Sequence, residues 1–248
     1  MPAEESQITG LCFAYPECLY NLEEIPPLAQ KDIERRDFLR IIIIANGWIN
    51  QPPAILPGEI LIAANGGANH CLKYSLHPDY VIGDLDSLSE QDLASLRTTG
   101  SHIKSYPARK DFTDLELAIQ FSEQLGANEL TIYAALGARW DQSIGNLLLP
   151  LAYPEIRIQL VDGSQEIHFI HENSLLSLEG LPGDMISLIP LNGDVTGITT
   201  RGLEYPLEDA ILRFGNTRGI SNVMLDQHAS IAIKQGVLLC VVIHSASK

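Results

Sequence analysis

The sequence predicts an N-terminal, mostly parallel α/β domain followed by an antiparallel β-sandwich domain. Up to about residue 160, short apolar runs that end at Gly or Asn turns alternate with helix-length segments, as in parallel sheets joined by crossover helices. Past about Gly163 the helical periodicity stops, and short alternating runs separated by Gly-containing turns take over, as in antiparallel sandwiches. The length of 248 residues lies near the size at which one hydrophobic core stops growing and chains divide.

Residues 1–38 carry Pro16, Pro26, Pro27 and many acidic groups without a clear period, and read as an irregular extension. The α/β domain is expected over residues 39–164. Its strands are Ile41–Ile44, ending at Ala45-Asn46-Gly47; Ile60–Ala64, ending at Asn65-Gly66-Gly67; Tyr80–Ile82, ending at Gly83-Asp84; and Leu130–Tyr133, ending near Gly137. Such continuous apolar runs suit strands covered on both faces. The clearest helix runs from Asp114 to Leu125, with Leu117, Ala118, Phe121 and Leu125 on one face. Thr113 and Glu116 have capping-box spacing, and Gly126 stops the helix. The sandwich is expected over residues 165–248, with strands near 167–170, 175–178, 185–189, 231–233 and 237–243.

Composition narrows the function. With 46% hydrophobic and 19% charged residues, the chain is an ordinary globular protein. Its longest apolar runs are too short to cross a bilayer, and the opening Met-Pro-Ala-Glu-Glu is unlike a secretory signal, so a cytoplasmic protein without a membrane partner is expected. Cys12, Cys18, Cys71 and Cys240 form no CxxC pair and are expected to be ordinary thiols. A formal charge of −15 argues against nucleic acid as partner, since its phosphates need Lys and Arg. An anionic polyphosphate would need a divalent cation between it and so acidic a protein.

The residues that carry chemistry cluster after the strands. Asp84 and Asp86, two apart in Gly83-Asp84-Leu85-Asp86-Ser87, point to one side if the backbone is extended and would converge on one magnesium ion; an acidic turn is the alternative. In Arg109-Lys110-Asp111-Phe112-Thr113-Asp114, a helix start attracts anions, Lys110 can hold phosphate, and Asp111 or Asp114 can hold a cation. In Gly137-Ala138-Arg139-Trp140-Asp141-Gln142-Ser143-Ile144-Gly145-Asn146, Arg139 offers a donor fork for phosphate, with Asp141 and Asn146 on the helix that follows; a surface Arg-Asp bridge accounts for the pair equally well. Asn65-Gly66-Gly67-Ala68-Asn69 and Gly215–Asn222 suit ligand-binding loops or plain turns. Polar clusters after successive strands, rich in carboxylates and bases, compose a magnesium-phosphate site.

These same segments, together with Val81-Ile82 and Gly219-Ile220-Ser221-Asn222, resemble the thiamine pyrophosphokinases in order and spacing, from about Leu39 to near the C-terminus. The resemblance implies a nucleotide-binding α/β domain and a thiamine-binding β-sandwich assembled as a homodimer, with ATP and thiamine as substrates and Mg2+ as cofactor. It implies Asp84, Asp86 and Asp111 as metal ligands, Arg139 and Asp141 at the ATP phosphates, and Asp114 facing thiamine. Ser221 and Asn222 would enter the thiamine pocket from the partner subunit. Asn65, Gly66, Gly67, Asn69, Lys110, Thr113 and Asn146 complete the expected binding set. The family usually has Asp where this chain has Asn65 and His where it has Gln142. Competing readings are a degenerate thiamine- or nucleotide-binding protein and a magnesium-dependent phosphohydrolase.

Overall fold

The computed structural model describes residues 38–245; the extension expected before residue 38, with Cys12 and Cys18, lies outside the described residues. The chain order is β1 (Arg40–Ile44), β2 (Ile60–Ala64), α1 (Gly67–Lys73), β3 (Tyr80–Gly83), α2 (Glu90–Thr98), β4 (His102–Ser105), α3 (Asp114–Gln124), β5 (Glu129–Tyr133), α4 (Trp140–Leu148), a short 3-10 turn (Leu149–Ala152) and β6 (Arg157–Asp162). There follow β7 (Gln165–Ile170), β8 (Leu175–Glu179), β9 (Met185–Pro190), β10 (Val195–Arg201), β11 (Ala210–Leu212), β12 (Asn222–Val223), β13 (His228–Ala232) and β14 (Leu238–Ile243).

The result is mixed α/β: a ten-stranded sheet ordered β12-β9-β14-β7-β6-β5-β1-β2-β3-β4 and a four-stranded sheet ordered β11-β10-β13-β8. Pairing is parallel from β6 through β5, β1, β2 and β3 to β4. It turns antiparallel at β6–β7 and stays so through β14, β9 and β12. The hydrogen-bonded ladder therefore continues through residues 164 and 165. The four-stranded sheet is antiparallel throughout.

Packing explains why the isoleucine strands hold the centre. Ile42, Ile44, Leu61, Ala63 and Val81 meet Ala68 and Cys71 of α1 and Leu96 of α2. The opposite face receives α3 against β2 and β3, with Phe121 edge-on to Tyr80 at 4.8 Å. Ile41, Ile43, Ile44 and Ile62 are fully buried, each contributing about 1.5–3 kcal/mol of transfer free energy. Farther along, Ile186, Leu188, Leu238 and Cys240 of the large sheet share a core with Ile198, Leu212 and Ile231 of the small one. Cys71 and Cys240 are free and buried, and burial pushes both thiols up to about 12; they are inert packing residues, as expected.

Gly67 fixes how closely α1 approaches the sheet, since a Cβ there would lie 1.9 Å from the Ile44 carbonyl oxygen. Gly67→Ala should destabilise the protein by about 3 kcal/mol, because backbone rather than a pliable side chain must move; a denaturant midpoint unchanged from wild type would refute this packing account.

A second test concerns the end of β14. Buried Asp184 accepts from the Leu181 and Ser245 backbone N–H groups at 3.0 and 2.8 Å. His244 places Nδ1 3.0 Å from Asp184 and Nε2 3.2 Å from Glu166. Burial opposes the charge on this ring, but its hydrogen bonds to Asp184 and Glu166 prevail and raise its pKa. A raised folded-state value contributes stability that is fully present below about pH 6.5, the unfolded value, and lost as pH climbs through the folded value. The melting temperature should accordingly decline across that window, and His244→Gln should flatten the decline.

Candidate active site

Five loops at the carboxyl ends of the parallel strands enclose a cleft of about 490 Å³ lined by Asn46, Gly47, Trp48, Asn65, Asp84, Asp86, Ser87, Thr113, Asp114, Gly137, Arg139, Gln142, Ser143 and Asn146, among others. The chain leaves β1 toward β2 on one side and returns through β5 on the other. Ligand clefts of open α/β sheets form at such a switch point.

Backbone contacts shape the walls. Gly47 N–H donates to the Ala134 carbonyl and Trp48 N–H to the Leu136 carbonyl, both at 2.7 Å, which ties the β1 and β5 loops together. His70 Nε2 lies 2.9 Å from the Gly47 carbonyl, and Asn69 donates to the Ser87 carbonyl at 3.0 Å. Asn69 is thus a loop anchor. Asn146 donates to the Ala135 carbonyl at 2.7 Å, and the Ser143 hydroxyl accepts from Gly137 N–H at 3.0 Å.

At the floor, Asn65 gathers carboxylates from two other loops. Its Nδ2 donates to Asp84 Oδ1 at 2.9 Å, Asp86 Oδ1 at 3.1 Å and Asp114 Oδ2 at 3.0 Å. Lys110 Nζ stands 2.7 Å from Asp114 Oδ1 and 3.8 Å from Asp84 Oδ2. Hydrogen bonds from Asn65 and then Ser87 hold the Asp86 carboxyl below its usual value, so it stays ionised at neutral pH. Gly83 permits this convergence: a Cβ there would sit 2.8 Å from Asn65 Cβ and 3.0 Å from Asp114 Oδ1, at a φ of +149° that side chains avoid.

Asp84 and Asp86 converge as expected, by a different route. Leu85 between them has a φ of +64°, so a left-handed turn, not an extended backbone, brings the carboxylates to one side. Thr113 Oγ1 caps α3 by accepting from Glu116 N–H at 3.2 Å. The full reciprocal capping box instead forms between Ser89 and Asp92 at α2. Asp114, one of the two carboxylates at this helix start that the sequence offers for a cation, lies within the carboxylate cluster. Asp111 is exposed and outside the cleft lining.

Arg139 lines the cleft and forms a two-point bridge to Asp141, at 3.2 Å from Nε and 2.5 Å from Nη2. Both side chains are largely exposed, so the bridge contributes little stability and yields readily to another anion. Ser221 and Asn222 stand apart from this cleft: Ser221 N–H donates to Ser187 Oγ at 3.1 Å, and Asn222 exchanges hydrogen bonds with the Tyr205 backbone at 3.0 and 2.8 Å. Asn46, Gly47, Trp48 and Ser87 were not among the expected site residues. Asn46-Gly47 had signalled only a turn.

Asp84, Asp86 and Asp114 present anionic oxygens around one amide with no soft ligand among them, the donor type that hard divalent cations prefer, although among the described residues no three such side chains stand close enough together to hold an ion as they are. Arg139 and Lys110 suit phosphate oxygens.

Residues 57–160 match the family model "Thiamin pyrophosphokinase, catalytic domain", and residues 164–238 match "Thiamin pyrophosphokinase, vitamin B1 binding domain". The chain is 27% identical to the thiamine pyrophosphokinase of Bacillus subtilis over 207 residues, covering 81% of this chain and 97% of that protein. It is 24% identical to thiamine pyrophosphokinase 1 of Arabidopsis thaliana over 244 residues, covering 93% and 86% of the two chains. The crystal structure of the Bacillus subtilis thiamine pyrophosphokinase superposes with a TM-score of 0.76 at 25% identity, over 84% of this chain and all of that one.

Proposed function

The chain belongs to the thiamin pyrophosphokinase family, and from that premise we propose that it transfers the terminal diphosphate of ATP to the hydroxyethyl oxygen of thiamine, giving thiamine diphosphate and AMP. The observation that carries this reading is a three-carboxylate cluster at the strand ends, two of whose members pair with Lys110, in the same cleft that Arg139 lines.

Asp84 and Asp86 would hold Mg2+, with Asp114 as the third carboxylate of the cluster and Asp111 contributing from outside the cleft lining. The bound ion would neutralise the phosphate chain and polarise its oxygens. Arg139 would turn its fork from Asp141 to the phosphates, leaving Asp141 to keep the guanidinium aligned. Lys110 would offset charge on the diphosphate as it shifts from AMP to the alcohol. The thiamine hydroxyl would attack the β-phosphorus in line, so that a new O–P bond forms as the bond to the AMP oxygen breaks and the hydroxyl proton leaves to a cluster carboxylate or water. Positioning and charge neutralisation supply the acceleration, without a covalent enzyme intermediate.

The division into an ATP-binding domain over residues 39–164 and a thiamine-binding sandwich over 165–248 belongs to the same proposal, and the separate matches of residues 57–160 and 164–238 support it. The same proposal includes a homodimer in which Ser221 and Asn222 of one copy face the cleft of the other. In its favour, α4 presents Trp140, Ile144 and Leu148 one turn apart and exposed, Trp140 by 80%; a second copy would cover that row. Among the described residues no helix is long and apolar enough to cross a membrane, and the proposed setting is the cytoplasm.

Incubation with ATP, Mg2+ and thiamine, followed by chromatography, should give equal amounts of AMP and thiamine diphosphate, and neither without the metal. Substrate binding without product would indicate a degenerate binder, and phosphate release without thiamine a hydrolase.

A further inference from the structure

We infer that Asn65 is a two-state side chain that stands in for the divalent cation: its amide protons hold Asp84, Asp86 and Asp114 together while the site lacks the ion, and its amide oxygen turns to the ion when one binds. The inference rests on reading the cleft as a cation-dependent phosphate site, and concerns only how this chain keeps that site assembled.

Asn65 carries unusual demands for one neutral residue. Its NH2 group has two protons, yet three carboxylate oxygens lie within 3.1 Å of the nitrogen, so at least one proton is shared. The three carboxylates bring three negative charges when ionised, and Lys110 returns one. A neutral amide is a weak counterpart for the remainder. The same side chain is only 8% exposed, and its Oδ1 is buried with no hydrogen-bond partner. Native proteins rarely leave a buried acceptor in that condition. The backbone at Asn65 is also left-handed, with a φ of +45°, a conformation that Asn tolerates better than most residues.

One rotation relieves the first of these demands. The amide is nearly symmetric in shape, so turning it end for end exchanges Nδ2 for Oδ1 without new space. With no cation the turned form sets a carbonyl oxygen against carboxylate oxygens and is repelled. With a hard cation among them, the oxygen becomes one more ligand of the kind such ions prefer; the NH2 group then takes the buried position where the oxygen had no partner, a cost that the bond to the ion must outweigh. The amide therefore pre-organises the ligands while offering the free ion a weaker site than a fourth carboxylate would.

The test uses the full chain, with neither ATP nor thiamine present, and compares melting in EDTA with melting in Mn2+ for wild type, Asn65→Ala and Asn65→Asp. Both variants should melt several degrees below wild type in EDTA, one through loss of the amide protons and the other through a fourth negative charge. Asn65→Asp should recover most of that deficit in Mn2+, and Asn65→Ala the part not owed to its left-handed backbone. Asn65→Asp should also bind Mn2+ about tenfold more tightly than wild type, as read by electron paramagnetic resonance, because ligand charge sets affinity. If Asn65→Asp does not fold in EDTA, Asn65→Ala, which adds no charge, still decides. A deficit equal in EDTA and Mn2+ would reduce Asn65 to a packing residue and overturn the inference, as would variants that melt with wild type in EDTA. Because no substrate is present, that failure leaves the diphosphotransfer reading untouched, and absence of transfer would leave this result standing.

Discussion

Asp84→Ala lowers kcat/KM for thiamine diphosphate formation by about a thousandfold, roughly 4 kcal/mol of transition-state stabilisation, while leaving the protein as stable as before or slightly more so. The two halves of this expectation share a cause. Asp84 stands with Asp86 and Asp114 around a single neutral amide, so removing it relieves like-charge crowding in the absence of metal. That relief offsets the lost 2.9 Å bond from Asn65 and the 3.8 Å approach of Lys110. In the proposed reaction the same carboxylate is a metal ligand, and its loss leaves the phosphate chain poorly neutralised. Steady-state kinetics and a thermal melt on one preparation check both halves. A variant that keeps more than about a tenth of wild-type activity would remove Asp84 from the proposed chemistry.

Lys110→Met should do the reverse, weakening both fold and activity. The Lys110 side chain is 7% exposed and makes its 2.7 Å contact with Asp114, whose own side chain is 24% exposed. Breaking a buried pair by deleting one partner costs about 3–5 kcal/mol, and partial access of water to Asp114 brings the expected loss to about 2–4 kcal/mol. For a chain of this size that is a melting point lower by about 5–10 °C. Activity should fall by about a hundredfold, since a positioned cation near developing phosphate charge is lost. Magnesium should restore part of the stability by supplying the missing positive charge. If the variant melts with wild type, the carboxylates are not crowded and the electrostatic account of the floor is wrong.

Much of this arrangement was legible in the sequence for a physical reason. The runs Ile41–Ile44, Ile60–Ala64, Tyr80–Ile82 and Leu130–Tyr133 are covered on both faces, so an apolar signal interrupted only by Thr131 marks them. Strand β4, His-Ile-Lys-Ser at the sheet edge, buries too little to announce itself. Strand β6 begins and ends with charge and sits where parallel pairing gives way to antiparallel. Strand β10 is hidden by its threonines and by Gly197, whose φ of +68° accompanies a register shift against β11.

Site residues divide along the same line. Asp84 and Asp86 are neighbours in sequence, and their convergence needed only a local turn. That Asp114 joins them depends on α3 docking beside β3 over a glycine, a tertiary fact that spacing does not encode. Asn65 was visible as a departure from the family pattern, but its three bonds and its orphaned oxygen exist only in the folded cleft.

The most direct measurement follows the phosphorus atoms of ATP in the presence of thiamine and Mg2+, with label placed at either the α or the γ position. Transfer of an intact diphosphate predicts γ-label in thiamine diphosphate and α-label in AMP alone. Release of γ-label as inorganic phosphate, or thiamine monophosphate formed together with ADP, would contradict the proposed reaction.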